Sequence, residues 1–105
     1  MSALRRYEIL VPLLFNDGQP VPESLLALTF TDLREKFGAA TWETQILHGA
    51  WQHEGTVYHE NLTRFFVDVA DLPEHREFFR QFKEELKERF KQIDIWVTSH
   101  QVDVI

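Results

Sequence analysis

Cysteine is absent from this chain of 105 residues. That excludes disulfides and thiolate chemistry, and it favours a reducing compartment. Glycine is scarce, four residues scattered along the chain, so no Gly-rich loop exists to cradle a phosphate. Positive charge is also short, with 11 Lys and Arg against 17 Asp and Glu, a net charge of -6. No basic stripe stands out, so a nucleic-acid partner is not expected: phosphate backbones are bound by clustered cations. Long apolar runs are missing too. The opening MSALRRYEILVPLLFNDG places two arginines before an apolar stretch, but Glu8 and Pro12 interrupt it and no small-residue cleavage site follows. It does not read as a signal peptide, and nothing approaches the roughly 20 apolar residues that cross a bilayer. The expectation is a cytoplasmic protein without a membrane partner.

What is present suits one core. The apolar fraction is 44% and includes nine Phe, enough bulky material for a single domain spanning 1–105 but too little chain for two. Tyr7, Ile9, Val11, Leu13 and Phe15 share one face of a strand that begins near Arg5. Asn16-Asp17-Gly18-Gln19-Pro20 is turn chemistry. Pro22 and Glu23 suit a helix start, Leu26, Thr29, Phe30, Leu33 and Phe37 recur at helical spacing, and Gly38 supplies a stop. Two long β-like runs follow, 40–53 and 56–70, separated by Glu54-Gly55. Asp71 and Glu74 flank Pro73 as in a capping box. The next helix, 73–92, carries Phe78, Phe79, Phe82, Leu86, Phe90 and Ile93 as its stripe, with Glu77–Arg80 and Glu85–Arg89 as surface pairs. A last strand covers 95–105. The order β-α-β-β-α-β predicts an α+β, ferredoxin-like antiparallel sheet with both helices on one face and a long protruding hairpin between the second and third strands.

Register decides what that hairpin shows to each side. A two-residue Glu54-Gly55 loop pairs His53 with Thr56. It puts Trp42, Ile46 and His48 on the helix side with His59, Thr63, Phe65 and Val67. A three-residue loop would bury Glu43 and Gln45 under the helices unless a bulge at Gly49 restored the register, so the shorter loop is favoured. Leu47, Trp51, Tyr58, Leu62 and Phe66 then face away from the helices and meet water. A patch of that kind marks an interface. Length agrees: 14 strand residues reach about 46 Å, whereas the second helix covers about 30 Å. The motif GAWQHEGTVYHE at the overhanging end reads as a contact arm, with a second copy of the chain as partner and a dimer as the first expectation.

The chemical content of the arm is thinner. His48 and His59 should be diagonal neighbours, about 7–8 Å apart at the backbone, close enough to share a metal with Glu60 of a partner or His75 as third ligand. Their spacing matches no established ligand motif, and histidines hydrogen-bonded within a hairpin are commoner, so no metal and no cofactor are assigned. His75 sits in an apolar stripe and reads as a packed core histidine. Asp17 reads as a turn residue. His48, His59 and Tyr58 are the candidates for general acid or base if the chain is an enzyme, a question left open. Trp42, Trp51 and Trp96 could line a pocket for a small apolar ligand, between sheet and helices or between subunits, against a default of core packing.

Gly49-x-Trp51, Gly55-x-Val57-x-x-Glu60 and the helix ending Phe82-Lys83-x-x-Leu86-Lys87-x-x-Phe90-x-Gln92 resemble small bacterial families of unknown function over the last half of the chain. That resemblance implies a ferredoxin-like fold and carries no activity. The overall layout also looks like the dimeric α/β-barrel proteins, which include cofactor-independent monooxygenases, isomerases, haem-degrading enzymes and regulatory domains. Two expectations follow: a non-catalytic homo-oligomeric module joined through its sheet face and arm or, as the alternative, a small enzyme or ligand-binding protein.

Overall fold

In the computed structural model, which describes residues 3–105, period-two alternation and helical spacing produce the expected elements. Their order is β1 (Leu4–Pro12), α1 (Glu23–Phe37), β2 (Thr41–His53), β3 (Thr56–Ala70), α2 (Pro73–Arg89) and β4 (Trp96–Val102). The strands form one antiparallel sheet in the order β2-β3-β1-β4, a ferredoxin-like α+β arrangement. β1 and β3 are central, which is why their helix-side residues Tyr7, Ile9, Val11, Phe65, Val67 and Val69 are all buried. Leu26 and Leu33 of α1 and Phe79, Phe82 and Leu86 of α2 close the core from above.

Aromatic stacking joins the layers. Tyr7 lies flat on Phe79 with centroids 4.1 Å apart, Phe37 stacks on Phe79 at 5.5 Å, and Trp42 lies 5.5 Å from Phe65 and 5.9 Å from Phe30. Arg89 ties helix to helix. Its guanidinium donates to Thr29 Oγ1 at 2.9 Å and to Asp32 at 2.8 Å, so the expected Glu85–Arg89 surface pair gives way to a longer-range one, whereas Glu77–Arg80 forms at 3.4 Å.

Element ends depart from expectation at four places. β1 ends at Pro12, so Leu13 and Phe15 lie beyond the strand whose face they were expected to share. Asp71 does not cap α2. Leu72 occupies the N-cap position without a side-chain hydrogen bond, because the Asp71 carboxylate accepts from Arg5 Nε at 3.0 Å. α2 stops at Arg89, since Lys91 turns left-handed at φ 54 and Gln92 N–H reaches back to the Lys87 carbonyl at 2.9 Å. Ile93 therefore leaves the apolar stripe and is 92% exposed. β4 is also shorter than the run 95–105, ending at Val102 where its pairing partner Leu4 begins β1.

The Tyr7 hydroxyl is buried with no hydrogen-bond partner among the described residues. An unpaired buried hydroxyl costs free energy that its removal recovers. Tyr7→Phe should leave stability unchanged or raise it by about 0.5–1 kcal/mol, whereas Leu86→Ala, at a fully buried site, should lower it by about 3 kcal/mol; both are read from urea unfolding midpoints.

Candidate functional site

The β2–β3 hairpin turns on two residues, with Glu54 at φ 50 and Gly55 at φ 80. Two consecutive positive φ values make the tight turn whose twist matches antiparallel strands. Register at the tip is the shorter-loop one, with His53 opposite Thr56, Trp51 opposite Tyr58 and Leu47 opposite Leu62. It does not persist to the base. Between Glu43 and Leu47 the pairing slips, so that Glu43 meets Arg64 and Trp42 meets Phe65. Residues 44–46 bulge opposite Thr63 alone; the irregularity falls there and not at Gly49. The slip of two residues preserves the parity of the strand, so the paired residues on either side of the bulge keep their expected faces.

Thr63 explains why the bulge is stable. Its buried hydroxyl accepts from the Trp42 indole at 2.9 Å and donates to the Glu43 carbonyl at 2.8 Å, satisfying the backbone group that the broken ladder leaves without a partner. Trp42 is thereby fixed over the core, against Phe65 and Phe30.

The sheet face away from the helices has two regions. Around Phe66 lies a lattice of ion pairs. Arg6 grips Asp68 through two bonds of 2.7 and 2.9 Å. Arg64 donates to Glu43 at 2.7 Å and to Glu8 at 3.3 Å. Both guanidiniums cover the Phe66 ring, at 4.4 and 5.3 Å from its centroid. Phe66 is thus half-buried under charge, not bare to water as its alternation alone implied, and Leu47 and Leu62 are half-buried as well. The Arg6 hydrogen bonds hold the Asp68 carboxyl below its ordinary range. On the other side of the sheet, Arg5 does the same to Asp71.

Beyond the lattice an apolar stripe runs to the arm tip. Trp96 and Leu10 are paired neighbours at one end, Leu62 and Leu47 follow, and the Trp51–Tyr58 pair lies at the other. Gly49 lets the stripe close up: a Cβ there would stand 3.1 Å from Leu62 Cδ1. At the tip Trp51 and Tyr58 stack with centroids 4.5 Å apart and an interplanar angle of 18°, yet Trp51 is 50% and Tyr58 44% exposed. Half-buried Glu60, opposite Gly49, is the acid that interrupts the stripe.

The expected site residues therefore divide. Leu47, Trp51, Tyr58, Leu62 and Phe66 share one face. His48 and His59 share the other, with His48 Nε2 3.1 Å from His59 Nδ1. His75 joins neither: its Nδ1 lies 2.7 Å from the Ala70 carbonyl and its ring stands edge-on to Phe37, at the far end of β3 from His59. Asp17 accepts from the Gln19 N–H at 3.0 Å, as a turn residue does. Sequence reasoning placed Arg64 on this face but missed the part that Leu10, Trp96 and Glu8 play there. The alternation that buries Tyr7, Ile9 and Val11 also turns Arg6, Glu8 and Leu10 outward, and that signal was available. Concavities on the helical layer are shallow; one is lined by Asp32, Phe78, Phe82 and Arg89, another by Glu84, Lys87 and Gln92. Neither touches the hairpin. Among the described residues no helix is long and apolar enough to cross a membrane.

No protein-family model matches the chain, and no curated protein sequence does. Solved structures do match it in fold. A phage SAM lyase in complex with S-methyl-5'-thioadenosine superposes with a TM-score of 0.70 at 16% identity, covering 99% of this chain and 92% of that one. A phage SAM lyase in the apo state gives 0.68 at 20% identity, over 94% and 81% of the two chains. CutA1 from Oryza sativa gives 0.62 at 9% identity, over 98% and 83%. At these identities the shared property is the fold.

The lattice makes a prediction with a sign. A carboxyl whose ionised form is favoured by folding stabilises the fold above its ordinary titration range and ceases to do so as pH falls through it. Asp68→Asn should cost about 0.5 kcal/mol at neutral pH, the scale of a partly exposed ion pair. The difference from wild type should disappear by about pH 2, as followed by denaturant titrations across that range.

Proposed function

We propose that this protein works as a homo-oligomer in which the open sheet face and hairpin arm of one copy pack against another. The observation that carries the reading is the largely apolar stripe from Trp96 to the Trp51–Tyr58 stack, broken by Glu60 alone, whose aromatic ends a single chain leaves exposed. One molecule supplies both an aromatic tip and an apolar landing surface around Leu10, Leu62 and Trp96. Such self-complementarity suits repeated contacts between identical chains. An isolated two-stranded ribbon is marginal in water, so the overhanging arm gains most from the contact. Light scattering on wild-type protein at tens of micromolar should give the mass of two or more chains. Trp51→Glu and Leu62→Glu should shift it to one chain while retaining the far-UV spectrum. A wild-type monomer at that concentration would overturn the reading, as would a larger species found only with a different protein bound.

A second reading, that the oligomer is an enzyme acting on S-adenosylmethionine, is favoured by one observation. The fold matches almost the whole of a phage SAM lyase that holds S-methyl-5'-thioadenosine. The open face has chemistry suited to such a ligand. Adenine stacks on exposed aromatic rings such as Trp51 and Tyr58, and a sulfonium cation is drawn to Glu60 and the net charge of -6. Tyr58 is then the acid–base candidate on the ligand's side of the sheet, with His48 and His59 on the opposite side. Incubation with S-adenosylmethionine should release S-methyl-5'-thioadenosine, measured by chromatography, and Tyr58→Phe should slow release by about 100-fold or more. No release above the buffer rate would exclude this activity and leave the oligomer untouched.

A further inference from the structure

The helix-side surface of the arm carries a pair of groups that the open-face reading does not use. In the tip register His48 stands opposite Asn61 and Ala50 opposite His59, so the two histidines occupy successive rungs on the same face. Both are exposed. Their rings lie 5.2 Å apart at 25°, and the facing nitrogens, His48 Nε2 and His59 Nδ1, are 3.1 Å apart.

From this geometry we infer that the pair is a two-imidazole chelate for a divalent late transition-metal ion of the copper, nickel or zinc class. An imidazole nitrogen binds such an ion at about 2.0–2.1 Å. Two nitrogens on one ion therefore lie about 2.9 Å apart at a right angle and about 3.4 Å apart at the tetrahedral angle. The observed separation falls between those limits, so the register brings the rings together and their rotamers set both donors at the bite of one ion. Ligand type sets the class: imidazole suits copper, nickel and zinc, whereas magnesium and calcium need oxygen cages that this surface lacks. No group of three or more His, Asp or Glu side chains is poised to hold a metal among the described residues, so the remaining positions belong to water or to a neighbouring copy. Copper binds tightest by the general affinity order. With no metal, a single proton between the rings satisfies the same two nitrogens, as one ring donates to the other.

The site lies within one chain and does not depend on self-association or on turnover. The test uses protein without a histidine tag, titrated with Cu²⁺ and with Zn²⁺. Calorimetry with Cu²⁺ should report one ion per chain, and the Cu²⁺ electron paramagnetic resonance spectrum should show two nitrogen ligands. Zn²⁺ should shift the imidazole nitrogen resonances of His48 and His59 alone. His48→Gln and His59→Gln should each weaken Cu²⁺ binding about tenfold or more, whereas His53→Gln and His100→Gln should leave it unchanged. Trp51→Glu, which tests the oligomer, should retain the metal. Affinity that survives both His48→Gln and His59→Gln, or resonance shifts confined to His53, His75 or His100, would overturn the assignment.

Discussion

One buried hydroxyl governs the long hairpin. Thr63 stands alone opposite three residues of β2, and by accepting from the Trp42 indole and donating to the Glu43 carbonyl it closes the gap in the ladder. Without that partner the bulge would leave a carbonyl desolvated and unpaired. With it, β2 slips by an even number of residues, so Trp42 can pack on the core while Trp51, nine residues on, still faces the other way. Register slips by odd numbers would have reversed one half of the arm. The division of labour between the two faces rests on that parity.

The open face is then a compromise between two demands. Near its middle, where β1 and β3 are flanked on both sides, Arg6, Glu8, Arg64 and Asp68 make the surface soluble, and Phe66 is sheltered beneath their guanidiniums. Toward the arm the charge thins to Glu60, and the sheet shows Leu47, Leu62, Trp51 and Tyr58. Core and cover do not have the same extent: α1 and α2 pack over β1, β3 and the base of β2, and no helix follows the hairpin outward. The part of the sheet without helices is the part that differs in chemistry on both faces, aromatic on one and imidazole on the other.

Similarity to a phage SAM lyase and to CutA1 is a similarity of fold. Fold alone does not select a chemistry. The chemistry on this chain's arm is local: the Trp51–Tyr58 stack, the acid Glu60 between two apolar rungs, and the histidine pair behind them.

Element order, helix faces and the turn at Glu54-Gly55 were legible because each depends on residues close in sequence. Helical spacing placed Leu33 and Leu86 in the core, and period two placed Tyr7 and Phe65 there. Asp71, Arg89 and Ile93 were misread for a common reason. Each looked local, as a cap, an i,i+4 partner and a stripe member, but its fate was set by a residue far along the chain or by the left-handed turn at Lys91. The facing of His48 toward His59 followed from register; the 3.1 Å between their nitrogens did not, since side-chain rotation is decided by packing. Composition and periodicity by themselves determined one α+β layer pair and an arm with two unlike faces. Only the tertiary structure decided where the ladder breaks, which charges shelter Phe66 and how near the imidazoles come, because those depend on contacts between strands and helices that pattern alone does not order.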